Sequence, residues 1–236
     1  MKKGCSVVIP AYNEAGDIRA CLEALSHQTL APSEIIVVDN NCTDDTVKIA
    51  LEYPLVRIVK EKQKGITFAR TTGFNAARYS IIARTDADTI VTPMWVENIT
   101  KHFDEDPKLM GLTGAVATRE WSPNDRFWFS TVSAFTRWVA RAAIRYQEKY
   151  PLMVGHNMAI RYEAWQQVAK KVYLGDEDTN EDVDASLWIQ KTGKVAFFSD
   201  VLVKTRLLEM FFNLKKLSGY NRSIKITIAR HKTPQA

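Results

Sequence analysis

Ser80-Ile81-Ile82-Ala83-Arg84-Thr85-Asp86-Ala87-Asp88 is a short apolar run that ends on two carboxylates. A run this short, bounded by polar residues, predicts a buried strand over residues 80–85. Asp86 and Asp88 stand two apart, so an extended backbone sends both side chains off the same face. Two hard oxygen ligands at one strand end suit Mg²⁺ or Mn²⁺. A lone D-x-D triplet is as readily a solvated turn, and its setting decides between the two.

Working outward, three further strands are predicted upstream, over residues 5–9, 34–38 and 56–59. A helical pattern follows each. Ile18, Cys21, Leu22 and Leu25 form an apolar stripe after the first. Thr43 is a plausible cap for a helix carrying Val47, Ala50 and Leu51 after the second, and Gly65 precedes a helix over about 67–77. Such alternation predicts an α/β fold, a Rossmann-like and mostly parallel sheet with helices on both faces. Polar residues gather where the strands end: Tyr12-Asn13-Glu14, then Asp39, then Asp86 and Asp88. Ligands of open α/β sheets bind outside the carboxyl ends of the strands, so these groups are expected to share one crevice.

Past residue 93 the alternation loosens. Pro93 opens a helix running through Phe103, an apolar segment covers residues 109–118, and a long helix is predicted from about 124 to 150. Residues 153–160 read as another strand, and the acidic stretch 176–184 leads into a helix ending near Gly193. No Pro/Gly/Ser-rich linker interrupts this, so one domain is expected over 1–236.

Composition is that of an ordinary globular chain, 46% hydrophobic and 25% charged, which argues against disorder. Cys5, Cys21 and Cys42 are odd in number and lack a C-x-x-C pair, so a reducing, cytoplasmic setting is expected. The basic N-terminus precedes an apolar run, but Pro10 ends it too early for a signal peptide, and no stretch is apolar enough to span a bilayer. The net charge of +5 suits an anionic partner without choosing one.

Four segments together resemble glycosyltransferase family 2 on the GT-A fold. They are Val7-Val8-Ile9-Pro10-Ala11-Tyr12-Asn13-Glu14; Ile36-Val37-Val38-Asp39 with Thr43-Asp44-Asp45-Thr46; Lys64-Gly65 with Ala69-Arg70 and Gly73; and Thr85-Asp86-Ala87-Asp88 with Pro93. The similarity is strong over about 5–95 and patchy to about 205. It implies a nucleotide-binding half to about residue 95, an acceptor and catalytic half over about 96–205, and leaves 206–236 as a basic C-terminal extension.

The resemblance implies an inverting transfer of a sugar from a nucleotide-diphosphate donor, with UDP expected, to an acceptor hydroxyl. Pro10, Tyr12, Glu14 and Asp39 would meet the base and ribose, Tyr12 by stacking and Asp39 by accepting from a uracil N–H. Arg70 would sit by the nucleotide or its phosphates, Asp86 on the nucleoside side, and Asp88 on a divalent Mn²⁺ or Mg²⁺ that Asp86 helps to hold. Glu181-Asp182 is similar to the acidic dipeptide whose Asp acts as base, which makes Asp182 the catalytic candidate and sets Glu181 on the acceptor side. His156 and Asn157, in Gly155-His156-Asn157-Met158-Ala159-Ile160-Arg161, match a segment that lines the acceptor.

Each residue also has a plainer role: Asp39 as a turn cap, Arg70 as a surface helix charge, His156 as a structural hydrogen bond. Thr179 through Asp182 also fits a Thr-x-x-Asp helix start.

Departures from the family pattern matter too. Asn40-Asn41-Cys42 stands where Asp-Gly-Ser is common. Leu187-Trp188-Ile189-Gln190-Lys191 lacks the Q-x-x-R-W run of processive synthases, so single addition is expected. Lys204, Thr205 and Arg206 stand where some relatives place a metal-binding histidine.

Other functions fit less well. A nucleotidyltransferase would need a Gly-rich basic loop after the first strand, and a dinucleotide oxidoreductase would need G-x-G-x-x-G there. A catalytically silent nucleotide-binding relative is countered by Asp86, Asp88 and Asp182. Arg137, Arg141 and Arg145, continuing to Lys149, line one face of the predicted helix 124–150. With Lys215, Lys216, Arg222, Lys225, Arg230 and Lys232 they suit peripheral contact with an anionic membrane, as a lipid-linked acceptor would need, or a merely solvated stripe. No nucleic-acid partner is expected.

Overall fold

The computed structural model describes residues 1–118, 151–174, 179–205 and 214–232. Eight strands form one sheet in the order β3-β2-β1-β4-β7-β6-β8-β5. They are β1 (Lys2–Ala11), β2 (Glu34–Asp39), β3 (Val56–Lys60), β4 (Tyr79–Arg84), β5 (Ile90–Val91), β6 (Leu109–Thr118), β7 (Met158–Arg161) and β8 (Lys194–Thr205). The β3-β2-β1-β4 half is parallel throughout, whereas β7 runs antiparallel to both β4 and β6. The mostly parallel α/β sheet expected from the strand pattern is present.

Period-2 alternation divides the core into two layers. Val7, Ile9, Ile35, Val37, Ile81 and Ala83 face one way, against Ile18, Cys21, Leu22 and Leu25 of α1 (Ile18–Ser26) and Trp95, Val96, Ile99 and Phe103 of α4 (Trp95–Glu105). Val8, Ile36, Val38 and Ile82 face the other, against Ala69 and Phe74 of α3 (Ile66–Ala76) and Trp165 of α5 (Tyr162–Val168). Ile189 of α6 (Glu181–Gln190) joins this second layer. A short α2 (Thr46–Ala50) and a long α7 (Leu214–Lys232) complete the described elements.

Two expectations shift, and a third is untested. The helix after β2 begins at Thr46 rather than beside Thr43. The Thr43 N–H instead donates to Asn13 Oδ1 at 2.7 Å, and Asp44 is turned toward the Ala15 and Thr46 N–H groups. Asn13 and Asn41 adopt left-handed φ values of 57° and 70° in these turns, a conformation asparagine tolerates better than most residues. The strand expected over 153–160 is cut to Met158–Arg161, because side chains take the preceding amides: Met153 N–H donates to Ser186 Oγ and Gly155 N–H to Asp182 Oδ2. The helix expected over 124–150, with its arginine stripe, lies outside the described residues.

Asn157 ties the second half together. Its Oδ1 accepts from Trp95 Nε1, and its Nδ2 donates to the carbonyls of Ala115 and Val201, each at 2.9 Å. Fully buried, it serves as a structural knot and does not reach an acceptor site, which corrects its expected role. Buried amides must be paired, and here both N–H donors and one lone pair of Asn157 are taken within the protein while the side chain has no exposed surface for a substrate to reach.

Gly114 makes room for this knot. A Cβ there would meet the Val201 carbonyl oxygen at 1.8 Å and the Asn157 amide nitrogen at 2.7 Å. Gly114→Ala is expected to lower the unfolding free energy by about 2–3 kcal/mol, seen as a lower urea midpoint at unchanged slope.

Candidate active site

β1 has β2 on one side and β4 on the other, so the chain reverses its direction of travel across the sheet at this point. A crevice opens outside the strand ends there, as the geometry of open α/β sheets requires. It encloses about 340 Å³, within the range of small-ligand sites. Pro10, Ala11, Tyr12 and Glu14 line it from the end of β1, Asn40 from β2, Lys64, Gly65, Ile66 and Ala69 from the start of α3, and Asp86, Ala87 and Asp88 from the end of β4.

Asn40 builds one wall. It accepts from the Gly65 N–H at 2.8 Å and donates to the carbonyls of Glu61 and Gln63, which shapes the loop into α3. Tyr12 is 43% exposed at the rim, with Lys64 Nζ 2.8 Å from its hydroxyl and 4.2 Å from its ring centroid. Asp39 stands level with Ala11 in the β1–β2 register, and one of its oxygens accepts from the Cys42 N–H at 2.9 Å. That oxygen caps the turn.

The acid pair departs from extended geometry: Thr89 N–H donates to the Asp86 carbonyl, so the triplet turns. Both carboxylates still face the crevice. Burial raises the pKa of Asp88, and repulsion from Asp86 adds to it. Glu14 is pushed up to about 7 by burial first and then by Asp88, Asp17, Asp86 and Asp44. An excess of negative charge therefore crowds this end of the crevice.

Beside it lies a buried ionic network. Arg84, 2% exposed, donates through Nη1 to Glu181 Oε1 at 2.6 Å and to Asp182 Oδ1 at 2.9 Å, and through Nη2 to Asp86 Oδ1 at 3.2 Å. Arg70 donates to the Glu181 carbonyl and to its Oε2.

Two expected positions are corrected here. Arg70, expected at the nucleotide, is fully buried and does not line the crevice, its guanidinium being paired with Glu181. Glu181, expected at the acceptor, is occupied by both guanidiniums. Burial opposes its ionisation, but Arg84 and Arg70 outweigh this and hold its pKa below the usual carboxylate range. Asp182 moves the other way: burial and then the adjacent Glu181 raise its pKa well above the ordinary value despite Arg84.

The helix that carries these acids is capped by Asn180, whose Oδ1 accepts from the Val183 N–H at 3.0 Å, and not by Thr179. His156 is partly buried, and its Nε2 has no hydrogen-bond partner. Burial lowers its pKa, with Arg84 acting the same way and Asp86 and Asp88 opposing.

Arg84 has no place in the motif-based reading. The signal available was a charged residue closing the otherwise apolar strand Tyr79–Arg84, two positions before the acid pair.

A family model described as "Glycosyl transferase family 2" matches residues 6–168. The chain belongs to glycosyltransferase family 2. Among family relatives, the "Uncharacterized glycosyltransferase YibD" of Escherichia coli is 37% identical over 105 residues, a stretch covering 43% of this chain and 30% of that protein. The chain thus spans under a third of the length of that curated relative.

Among solved structures, mannosyltransferase PcManGT of Pyrobaculum calidifontis, in complex with GDP-Man and Mn²⁺, superimposes with a TM-score of 0.70 at 19% identity. That match covers 99% of this chain and 66% of the other. Glucosyl-3-phosphoglycerate synthase of Mycobacterium tuberculosis, in complex with Mn²⁺, UDP and phosphoglyceric acid, gives 0.67 at 18% identity, covering 99% and 80%. These matches establish the GT-A fold.

The donor chemistry at Asp86 and Asp88 fits a hard cation bound by one or two carboxylates that takes its remaining ligands from water and phosphate. Their mutual repulsion is what such an ion would relieve. No set of three His, Cys, Asp or Glu side chains is arranged around one point among the described residues.

Glu14 supplies a pH test. Its pKa rises from an ordinary 4.5 to about 7 on folding, so the native state binds the proton more tightly and stability falls as pH climbs through that window. Glu14→Gln mimics the protonated form. It is expected to raise the melting temperature at pH 8 and to raise it several-fold less at pH 5, near the lower edge of that window. An equal shift at both pH values would remove the assignment.

Proposed function

We propose that this chain is an inverting, metal-dependent, non-processive glycosyltransferase that moves a sugar from a nucleotide-diphosphate donor, with UDP expected, to an acceptor hydroxyl. The observation that carries this reading is Arg84, whose one guanidinium touches both Asp86, at the donor crevice, and Asp182, on the helix beyond. A donor-side acid and a high-pKa carboxylate share one rigid support, the arrangement that a two-substrate transfer requires.

Pro10, Tyr12 and Glu14 receive the nucleoside, with Tyr12 offering its ring face to the base once Lys64 moves aside toward phosphate. Asp39, fixed in its turn, retains a second oxygen for a ring N–H. Asp86 and Asp88 hold a divalent Mn²⁺ or Mg²⁺, which when bound neutralises the departing diphosphate. The bound nucleotides and Mn²⁺ of the two structural neighbours support this, and their different bases, guanine and uracil, show what one fold accommodates.

Asp182 accepts the acceptor hydroxyl proton as that oxygen attacks C1 of the sugar. The C1–O bond to the diphosphate breaks on the opposite side and the anomeric centre inverts. A carboxylate whose pKa is raised by burial and by the adjacent Glu181 is a stronger proton acceptor than an ordinary one. His156 completes the acceptor side of this reading: its buried Nε2 has no protein partner and gains a hydrogen bond from an acceptor, lipid-linked or free, that reaches it.

Residues 1–236 act as one domain in this reading, with the donor side in the first half and the base in the second. Single addition rests on Leu187–Lys191 lacking the processive signature. No described helix is long and apolar enough to cross a membrane. Cys5, Cys21 and Cys42 form no disulfide with one another, in keeping with a cytoplasmic site, and peripheral membrane contact through the basic segments suits a lipid-linked acceptor.

Calorimetric titration with UDP, GDP and dTDP, each with and without Mn²⁺, tests the donor half. Metal-dependent binding of one nucleotide is expected in the wild type and its loss in Asp88→Ala; binding indifferent to metal would sink the reading. Asp182→Asn is expected to retain donor affinity while turnover falls by about 10²–10⁴. Full turnover in that variant would remove the base assignment.

A further inference from the structure

Helix α7 docks on the start of α6 through a single face. Thr227, Arg230 and His231 stand at i, i+3 and i+4 and so lie side by side. Thr227 is 1% exposed; its hydroxyl accepts from the Asn180 N–H at 2.8 Å and donates to the Ser223 carbonyl of its own helix. His231 Nε2 is 2.7 Å from Asp184 Oδ1, and the other oxygen of Asp184 accepts from the Tyr173 N–H at 2.8 Å. Arg230 lies over the Tyr173 ring, 4.4 Å from its centroid, and the His231 ring tilts against Trp188 at 5.1 Å. All of these contacts fall on α6 or on the segment packed against it.

Asn180 and Asp184 bracket Asp182, two residues away on either side. Asn180 works at both ends: its side chain caps Val183 while its own N–H is fixed by Thr227. From this geometry we infer that α7 is part of the catalytic apparatus, with Thr227 and His231 as positioning residues that fix the first turn of α6 and so hold Asp182 where an acceptor hydroxyl meets it. The inference rests on the reading of Asp182 as the base.

The physical reason is one of tolerance. Arg84 and the Gly155 N–H fix the Asp182 carboxylate from the sheet side. Neither restrains the backbone of the turn that carries it. Thr227 does so through the Asn180 N–H, alongside Arg70 at the Glu181 carbonyl, and His231 adds a hold on the Asp184 side chain; a displacement of about 1 Å in a reacting group costs on the order of 10²-fold in rate. The family match ends at residue 168, so α6 and α7 both lie beyond it.

Thr227→Val keeps the side-chain shape and removes the hydroxyl. It is expected to lower kcat about tenfold while donor KM and UDP affinity stay within about twofold, and Thr227→Ser, which restores the hydroxyl, is expected to recover most of the loss. Should Thr227→Val not fold, His231→Gln loosens the same face at Asp184 and is expected to show the same split. A lowered melting temperature with unchanged kcat per folded molecule would mean that α7 only stabilises the fold, and would overturn the inference. Asp182→Asn is assayed in parallel. If it is inactive while Thr227→Val is unaffected, the clamp alone fails; if it turns over at the wild-type rate, the base reading fails and the inference with it.

Discussion

A guanidinium buried at the end of a central strand is the constraint around which this site is built. Arg84 closes β4 in register with Val8 on one side and Met158 on the other, so it has no route to solvent along the sheet. Desolvating such a charge costs several kcal/mol unless carboxylates surround it. Asp86, Glu181 and Asp182 do so. The planar fork of arginine reaches several carboxylates at fixed angles, which a lysine in the same place would not do. Removing one partner of such a buried set leaves charge uncompensated, typically worth about 3–5 kcal/mol, so folding and site assembly are one event here.

Charge balance within the network explains the direction of each titration. Arg70 and Arg84 supply two positive charges to three carboxylates, so one negative charge is in excess. Glu181 sits between both guanidiniums and keeps its charge, while Asp182, touching Arg84 alone, takes the rise in proton affinity. The excess grows toward the crevice with Asp88 and Glu14, and Lys64 at the rim is the only cation among the crevice-lining residues described. On the proposed reading, a diphosphate entering such a field would be repelled unless a cation accompanied it, so metal and nucleotide would bind together.

Much of this architecture was legible because it depends on local periodicity. The stripe of Ile18, Cys21, Leu22 and Leu25 and the alternation of Val7, Val8 and Ile9 each follow from one element burying one face. The strand-end clustering of Tyr12, Glu14, Asp86 and Asp88 follows from topology alone. Arg84 was missed, and Arg70, Glu181 and Asn157 were misplaced, for a different reason: their partners are far away in the chain. Arg70 meets Glu181 across 111 positions and Arg84 meets it across 97. No spacing rule reports a contact of that range, and a motif naming Arg70 and Glu181 separately gives no sign that they neutralise each other. Thr43 failed on competition, since Asn13 offered its amide a better partner than a helix start.

The first turn of α6 shows how capping and chemistry share one segment. Acids at a helix N-terminus are stabilised by the macrodipole, by about 0.3–1 kcal/mol each, which lowers their pKa. Asp182 moves in the opposite direction, so burial and the repulsion from Glu181 must exceed the dipole. That is possible only because Asn180 already satisfies the Val183 amide, leaving the acids free of capping duty. Each then takes its own set of partners: Glu181 both guanidiniums, Asp184 the Tyr173 amide and His231, and Asp182 the Gly155 amide together with Arg84. Gly155 is required for the last of these, since a Cβ there would lie 2.5 Å from Asp182 Oδ1 and 2.7 Å from the Arg84 guanidinium carbon. A side chain at that one position would separate the arginine from the acid whose proton affinity it moderates.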